Sequence, residues 1–283
     1  MHSIPSANPR SKWGGKLLWP IVVLIIAASW VGNVWYYKVM QLENPVFLKH
    51  YVTINGFQNE LLELSFLENK KNGRKVTGVR LEELPMLRFQ INPYPDDYRH
   101  QQLGKAYAEW SHDEAGQLEK VPLTIKEATV YYSEGHPETV DIGEIHLVWE
   151  QDEGLLDMSS SGGSSNGDGH YSVIVKQPLT LEQVDYRFSE RLGSMFSLSI
   201  AGQDEPVPQL PMKLAAGDPL TFNYQWTIPD DSAKAFEVYK TDMLLTFKTE
   251  DGRTVTGSLP INFNLYLNEK QLKRLVRSGG ELS

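Results

Sequence analysis

The chain contains one stretch with the spacing of a hydrolase nucleophile, Gly163-Ser-Ser-Asn-Gly167. The Gly-x-Ser-x-Gly motif works where a strained turn between a strand and a helix presents the serine hydroxyl. Here the motif lies within residues 159–169, where serine and glycine are nearly the only residues and no side chain is apolar. We attribute the match to this composition and predict no catalytic residue in it.

Other common catalytic and cofactor-binding motifs are absent from the sequence. It has no Ser-x-x-Lys, His-Glu-x-x-His, Gly-x-x-x-x-Gly-Lys or Gly-x-Gly-x-x-Gly motif, so penicillin-binding, zincin, P-loop and dinucleotide-binding proteins are not indicated. The chain also has no cysteine, which excludes disulfides, thiolate nucleophiles, cysteine-ligated zinc and lipoprotein-type acylation. We therefore expect no cofactor and lean towards a protein that is not an enzyme.

Residue types that bind metals occur between positions 96 and 114: Asp96, Asp97, His100, His112, Asp113 and Glu114. A metal ion requires several such ligands to converge with fixed geometry. In strand and loop segments these residues are more often solvated, so we predict no metal site. Asn166-Gly-Asp-Gly169 matches part of a calcium loop but lacks its full ligand series.

Glu144 and His146 are two residues apart in a predicted strand, so their side chains point to the same face. We interpret His146 as a surface or hydrogen-bonded structural residue. Trp110, Trp149 and Trp226 are predicted to anchor the core, since large aromatic side chains dominate sandwich packing. The alternative, that one of the three forms a platform on which carbohydrate stacks, stays open.

Residues 17–37 form an uncharged run of 21 residues that is long enough to cross a bilayer as a helix. At about 1.5 Å per residue, such a helix spans roughly 30 Å. A helix also satisfies its own backbone hydrogen bonds inside lipid. Large aromatic side chains favour the headgroup zone. The predicted aromatic belt of the membrane anchor consists of Trp19, Trp30, Trp35, Tyr36 and Tyr37.

The charges that flank the run predict its orientation. Arg10, Lys12 and Lys16 precede it, and no acidic residue occurs before Glu43. Positive residues tend to stay on the cytoplasmic side of a membrane. We therefore predict that residues 1–16 form a cytoplasmic tail and that the chain after the anchor lies outside.

Cleavage of the run as a signal peptide is the alternative. Ala27-Ala28-Ser29 provides small residues after an apolar stretch, which is the pattern of a cleavage site after Ser29. However, Trp30 and further aromatic residues follow, whereas a mature protein usually starts with polar residues. We favour a retained anchor.

The net charge of the exported part limits its partners. The whole chain carries −9 and residues 1–37 contribute +3, so the remainder carries −12. Nucleic acid requires a basic face, so we predict no binding to it, and broad adhesion to anionic lipid is also disfavoured. The sequence has no Asn-x-Ser/Thr site and no cysteine. Together these features favour the outer face of a bacterial plasma membrane.

After the anchor the hydrophobic pattern has period two, which indicates strands with one buried side. In residues 243–267 two alternating runs flank Asp251-Gly252, so we predict a hairpin with a two-residue turn there. Residues 62–81 show the same pattern around Asn72-Gly73. Short strands separated by turn residues predict antiparallel β-sandwiches.

We divide the exported part into two β-rich units, residues 45–151 and residues 171–268. Residues 152–170 are predicted to be a flexible Gly/Ser-rich linker or loop, because residues 159–169 cannot contribute to a core. Residues 269–283 are predicted to contain a short basic helix, since Asn268 and Gln271 match an N-terminal capping box.

The first functional hypothesis is a single-pass membrane protein that acts by binding or scaffolding at the cell envelope. Its partner would be a membrane protein, a wall polymer or a processed peptide. The second is a membrane-tethered hydrolase of envelope polymers that uses two carboxylates brought together by folding. The third is the ectodomain of a sensor complex, which would need a partner because the cytoplasmic tail is short.

Overall fold

The computed structural model describes residues 14–111, 118–151, 153–164, 167–201, 209–263 and 265–280. The chain divides into two compact units, Met1–Gln41 and Leu42–Ser283. The described part of the first unit is helical, and the second unit is mainly β-sheet. A mainly β fold with an N-terminal apolar helix and a short C-terminal helix is confirmed.

The first unit contains α1, Gly14–Val39. Within it, Trp19–Val39 is a stretch of 21 residues with a mean hydropathy of 1.5, and none of it is buried by protein. By length and composition this helix can cross a membrane, and it is the one such candidate among the described residues. A signal sequence near the N-terminus satisfies the same criteria, so the two readings of residues 17–37 predict the same helix.

The strands of the second unit form three sheets. The five-stranded sheet contains β1 (Val46–Phe47), β3 (Glu60–Asn69), β5 (Gln90–Ile91), β6 (Asp96–Asp97) and β7 (Gln101–Trp110). The four-stranded sheet contains β10 (Leu156–Gly163), β11 (Asp168–Val175), β13 (Phe196–Ile200) and β15 (Pro219–Trp226). The central eight-stranded sheet contains β2 (Lys49–Asn55), β4 (Val76–Arg80), β8 (Leu123–Tyr132), β9 (Glu138–Val148), β12 (Leu179–Tyr186), β14 (Met212–Leu214), β16 (Glu237–Thr249) and β17 (Thr254–Phe263).

The helices of the second unit are α2 (Ser189–Leu192) and α3 (Glu269–Arg277). Two 3₁₀ turns accompany them, Gly193–Met195 and Ala233–Phe236. The capping box predicted for α3 is confirmed: the Asn268 side chain accepts from the N–H groups of Lys270 and Gln271, and Gln271 accepts from the N–H of Asn268.

The central sheet joins the two halves of the second unit and contains a fork. Strand β2 pairs in parallel with both β9 and β16, whereas the other pairings are antiparallel. Strand β17 runs along one edge of β16 from Tyr239 to Lys248. The opposite edge of β16 therefore holds both β2, at residues 237–240, and β12, at residues 243–249. Strands β2 and β12 diverge from each other between residues 240 and 243 of β16, and this divergence is the fork.

Two hydrophobic cores pack on opposite faces of the central sheet. The first core lies between this sheet and the five-stranded sheet, and the second between it and the four-stranded sheet. Strand β2 contributes to both, because Val52 and Ile54 enter the first core and Tyr51 enters the second. Alternate residues of a strand face opposite sides. The two predicted β-rich units thus share one continuous sheet.

The predicted hairpin is present, with a longer turn than expected. Met243 pairs with Leu259, and the ladder closes at Lys248 opposite Thr254. Beyond it, the Thr249 N–H donates to the Arg253 carbonyl at 2.9 Å, so three residues form the loop. Gly252 has a φ of 83°, the left-handed conformation that glycine adopts without steric cost.

The stretch around Asn72-Gly73 is not a hairpin. Strand β3 pairs with β1 and β7 in the five-stranded sheet, whereas β4 pairs with β8 in the central sheet. At this turn the chain crosses from the five-stranded sheet to the central sheet. Period two shows which face of a strand is buried, but it carries no information on the strand's partner.

Much of the Gly/Ser-rich stretch is sheet, where the composition predicts a coil. Strand β10 pairs with β11 from Leu156 to Gly163, and β11 pairs in turn with β15. Most side chains of β10 are exposed, so the strand is held through its backbone and requires no apolar residues. Ser165 and Asn166 lie outside the described residues.

Candidate functional site

A cleft of about 720 Å³ opens at one end of the second sandwich, which the four-stranded sheet forms with the central sheet. The turn between β10 and β11, the end of β15 and the segment that follows β17 form its walls. Ligand sites commonly have volumes of 300–1,000 Å³ and combine aromatic surface with a few polar groups. The described lining residues are Gly163, Ser164, Gly167, Asp168, Tyr224, Trp226, Asn262, Phe263, Leu265 and Tyr266.

Glycines of the β10–β11 hairpin make room for the aromatic side chains of this cleft. A Cβ atom on Gly169 would overlap the Tyr224 ring. A Cβ on Gly167 would lie 3.0 Å from the Trp226 Cβ, and Gly167 also has a φ of 86°. The Gly/Ser-rich run, which resembles a linker in sequence, therefore has glycine at the positions where it packs on these rings.

The aromatic wall is held by ring packing. Tyr224 stacks on Tyr171 with centroids 6.0 Å apart, and burial raises the pKa of both hydroxyls, that of Tyr171 to about 12. Trp226 packs edge-on against Phe196 at 5.0 Å and lies 5.5 Å from Phe263. Both tyrosines stay neutral at physiological pH, so this wall is uncharged.

Two features of the cleft differ from a closed core. Tyr266 is 83% exposed, although it lines the cleft. The Trp226 Nε1 atom is buried and has no hydrogen-bond partner within the described part of the chain. Buried indole N–H groups usually find a partner. Opposite this aromatic surface, the Ser164 hydroxyl donates to Asp168 Oδ1 at 2.7 Å.

A second cavity of about 270 Å³ shares three lining residues with the cleft, Asn262, Phe263 and Leu265. Its other walls carry charge, including the ion pair of Lys105 with Glu63 at 3.0 Å. The aromatic wall of the cleft therefore borders a depression that carries charged side chains.

A partly buried carboxyl group lies at the fork of the central sheet. Burial, and next the charge of Glu60, raise the pKa of Asp242 to about 6, while Arg187 and Lys240 oppose the rise. Arg187 follows the end of β12, donates its N–H to the Asp242 carbonyl and forms an ion pair with Glu150. Asp242 is not among the residues that line the described cavities. Sequence reasoning missed it, because nothing in its neighbourhood along the chain signals burial.

Glu144 and His146 lie on one face of β9, as predicted. Their side chains approach to 3.4 Å between Oε2 and Nε2, and Lys126 binds the other carboxylate oxygen at 2.9 Å. The His146 ring packs 4.6 Å from the Phe188 ring, and burial lowers its pKa. The pair thus belongs to a surface ion network at the edge of an aromatic contact.

The predicted metal-ligand types do not converge where they are described. Asp96 and Asp97 form β6, and Asp97 pairs with Lys70 at 2.7 Å. His112, Asp113 and Glu114 lie outside the described residues. Over residues 14–111, 118–151 and the later described segments, no three His, Cys, Asp or Glu side chains form a metal-binding group.

The three tryptophans assigned to the core occupy different environments. Trp110 and Trp226 are buried in the first and second cores respectively. Trp149 is partly buried beside the first core, and its Nε1 donates to the Val121 carbonyl at 3.2 Å. Trp226 thus belongs to the second core and also lines the cleft.

The residues of the predicted membrane anchor lie in α1. Trp19, Trp30 and Trp35 are exposed, and Tyr36 and Tyr37 are partly exposed. Lys16 lies in the first turns of the helix, whereas Arg10 and Lys12 are outside the described residues. The aromatic belt and the orientation charges therefore stay predictions.

Comparisons with known proteins do not assign this chain to a family. No family model matches it, and no curated protein matches it. A crystal structure of a protein of unknown function from Porphyromonas gingivalis W83 aligns with 78% of this chain and 97% of its own, at 7% sequence identity and a TM-score of 0.25. A similarity this weak supports no conclusion about fold or function.

Proposed function

We propose that the chain is a single-pass, membrane-anchored extracytoplasmic protein that binds a saccharide segment of a cell-envelope polymer. The aromatic cleft is the observation that carries this proposal. The apolar C–H faces of a sugar ring pack on aromatic rings such as Tyr266, and its hydroxyls hydrogen-bond to groups such as Asp168 and Asn262. The helix α1 supplies the anchor, with the chain after it outside the plasma membrane.

Binding is better supported than hydrolysis. Glycoside hydrolysis commonly uses two carboxyl groups that flank the scissile bond. Among the described residues that line the cleft, Asp168 is the single carboxylate. The carboxyl with the raised pKa, Asp242, belongs to the fork instead. A sensor role would need a partner in the membrane.

The proposal is tested by titrating the full-length protein in detergent with a β-1,4-linked N-acetylglucosamine tetrasaccharide. We expect saturable binding that Tyr266→Ala weakens about tenfold, the effect of losing roughly 1.4 kcal/mol of apolar contact. Tyr94→Ala is the matched control, because Tyr94 is 84% exposed and does not line the cleft.

Binding to isolated peptidoglycan sacculi is measured in parallel. Absence of binding to both the tetrasaccharide and the sacculi contradicts the saccharide proposal. Equal weakening by Tyr266→Ala and Tyr94→Ala contradicts the cleft as the site. Membrane cross-linking that recovers a protein partner through Tyr266 would favour peptide recognition instead.

A further inference from the structure

The exposed side of α3 carries a stripe of four basic residues, Lys270, Lys273, Arg274 and Arg277. Their spacing of i, i+3, i+4 and i+7 places all four on one face of a helix. We call this face the basic stripe. Among the described residues, none of the four forms an ion pair within 4 Å; Arg274 donates to the backbone carbonyl of Asp230 at 2.8 Å.

The opposite face fixes how the stripe is presented. Leu272, Leu275 and Val276 are buried, and so is Gln271 of the capping box. Rotation of the helix about its axis would expose these apolar side chains to water. The cations are therefore held facing outwards from the second unit.

Ordinary helix electrostatics does not account for the stripe. Cations in the last turn interact favourably with the helix dipole, which covers Arg274 and Arg277. Lys270 lies in the first turn, where a cation is unfavourable. The like-charge pairs Lys270–Arg274 and Lys273–Arg277 each cost about 0.2–0.5 kcal/mol. A face of this kind, on a domain that is otherwise strongly acidic, suits an anionic partner.

The chain enters the second unit beside the end of α3. A Cβ on Gly280 would lie 2.8 Å from Val46 and 3.9 Å from Leu42. The Asn69 side chain also forms two hydrogen bonds with the backbone of Leu42. It accepts from the Leu42 N–H at 2.8 Å and donates to the Leu42 carbonyl at 2.7 Å. Leu42 is three positions after the end of α1 at Val39, so the chain between them spans roughly 11 Å at most.

We propose that the basic stripe docks on anionic phospholipid headgroups of the membrane that holds α1. This inference rests on the anchoring part of the proposed function. A polybasic segment close to a membrane gains about 1 kcal/mol per cation from anionic lipid, and this gain is screened within a Debye length. The acidic remainder of the domain is repelled by the same lipid, so the contact also orients the domain.

The test uses the absence of cysteine, since one introduced cysteine is a unique label. Full-length protein with Ser278→Cys carries a donor dye and is reconstituted in nanodiscs with a headgroup acceptor dye. We expect energy transfer to rise about twofold when phosphatidylglycerol joins phosphatidylcholine, and to fall again at high salt. A second label at Glu250→Cys, in the loop between β16 and β17, measures energy transfer from that hairpin to the headgroup dye.

The stripe variant replaces Lys270, Lys273, Arg274 and Arg277 with glutamine and should lose the lipid-dependent rise. The control variant replaces Lys71, Arg88, Lys213 and Lys248 with glutamine. These four residues are exposed outside α3, so this variant should keep the lipid-dependent rise. Equal energy transfer in both lipids, or equal loss in both variants, overturns the proposal. Failure of the unlabelled protein to float with neutral vesicles would instead contradict the anchor.

Discussion

At the scale of single residues, the contact of Gly169 with Tyr224 shows how the Gly/Ser-rich stretch contributes to the cleft. Ser and Gly are small enough to let β10 and β11 approach the tyrosine ring, and Tyr224 then stacks on Tyr171. The same composition that excludes residues 159–169 from a core permits this close approach. Low hydrophobicity alone therefore does not identify a linker.

We predict that Gly169→Ala destabilises the second unit by about 1–3 kcal/mol, because the added methyl group overlaps the Tyr224 ring and forces it to move. Urea denaturation in detergent measures the loss. Gly163→Ala is the control, since its Cβ would meet the Asp168 carbonyl at 3.5 Å and the Tyr224 hydroxyl at 3.8 Å, ordinary contact distances. Equal stability of the two variants would contradict the overlap.

Asp242 is a residue whose ionisation should affect stability. Its pKa of about 6 lies above the ordinary value of 3.8, so the folded protein retains a proton that the unfolded chain has released between these values. The free energy of unfolding therefore falls as pH rises from about 4 to about 6 and stays low above that range. Two pKa units correspond to about 3 kcal/mol, which is an upper bound here.

We predict that Asp242→Asn is more stable than the parent above pH 6, by up to about 3 kcal/mol, and equally stable below pH 4. The amide keeps the shape of the side chain without its charge. Asp185→Asn, at an exposed position on β12, should leave the pH profile unchanged. A profile for Asp242→Asn that still falls between pH 4 and 6 would contradict the assignment of the effect to Asp242.

At the scale of elements, α3 depends on its cap. Oδ1 of Asn268 accepts from the N–H groups of both Lys270 and Gln271 at 3.0 Å. We predict that Asn268→Ala costs about 1 kcal/mol, because these two donors lose their partner. Hydrogen exchange of the α3 amides should accelerate accordingly. Asn268→Asp keeps the acceptor and should retain protection, so faster exchange in both variants would argue against the cap.

The predicted strands differ in how well sequence alone located them. The hydrophobic pattern predicts strands at residues 171–176, 196–200 and 220–226, and the structure has β11 at 168–175, β13 at 196–200 and β15 at 219–226. The pattern also predicts a strand at residues 87–91, where the structure has a strand at Gln90–Ile91. A short apolar run meets the criteria for a strand even where the chain packs as a loop, as Leu87 does in the first core.

At the scale of the whole molecule, the proposal depends on α1 remaining in the membrane. We predict that Leu24→Arg with Ile25→Arg abolishes retention in carbonate-washed membranes, because each arginine adds about 2.5–3.5 kcal/mol to insertion near the helix centre. Leu24→Ala with Ile25→Ala should be retained. Membrane fractionation and immunoblotting distinguish the variants.

Two observations would contradict this topology. Protease added to intact protoplasts should digest the domain that follows α1, so full protection would place it inside. N-terminal sequencing should show that the mature protein begins before α1. A mature N-terminus at Trp30 would instead show a cleaved signal peptide. Either result would remove both the tether and the reason for docking the basic stripe on the same membrane.

The sequence by itself determined those features that arise from local solvation and local hydrogen bonding. An uncharged run of 21 residues predicts a helix that can span a bilayer, and period two predicts the buried faces of β16 and β17. A capping box acts within four residues, so the start of α3 was predictable from Asn268 and Gln271.

Only the tertiary structure decided which elements meet. Backbone hydrogen bonds between strands are almost independent of side-chain identity, so the sequence carries no direct record that β3 and β4 enter different sheets or that β10 pairs with β11. The cleft combines residues from positions 163 to 266, and the fork brings Glu60 and Glu150 near Asp242. Such convergence depends on long-range packing, because contacts between distant segments leave no periodic signal in the chain.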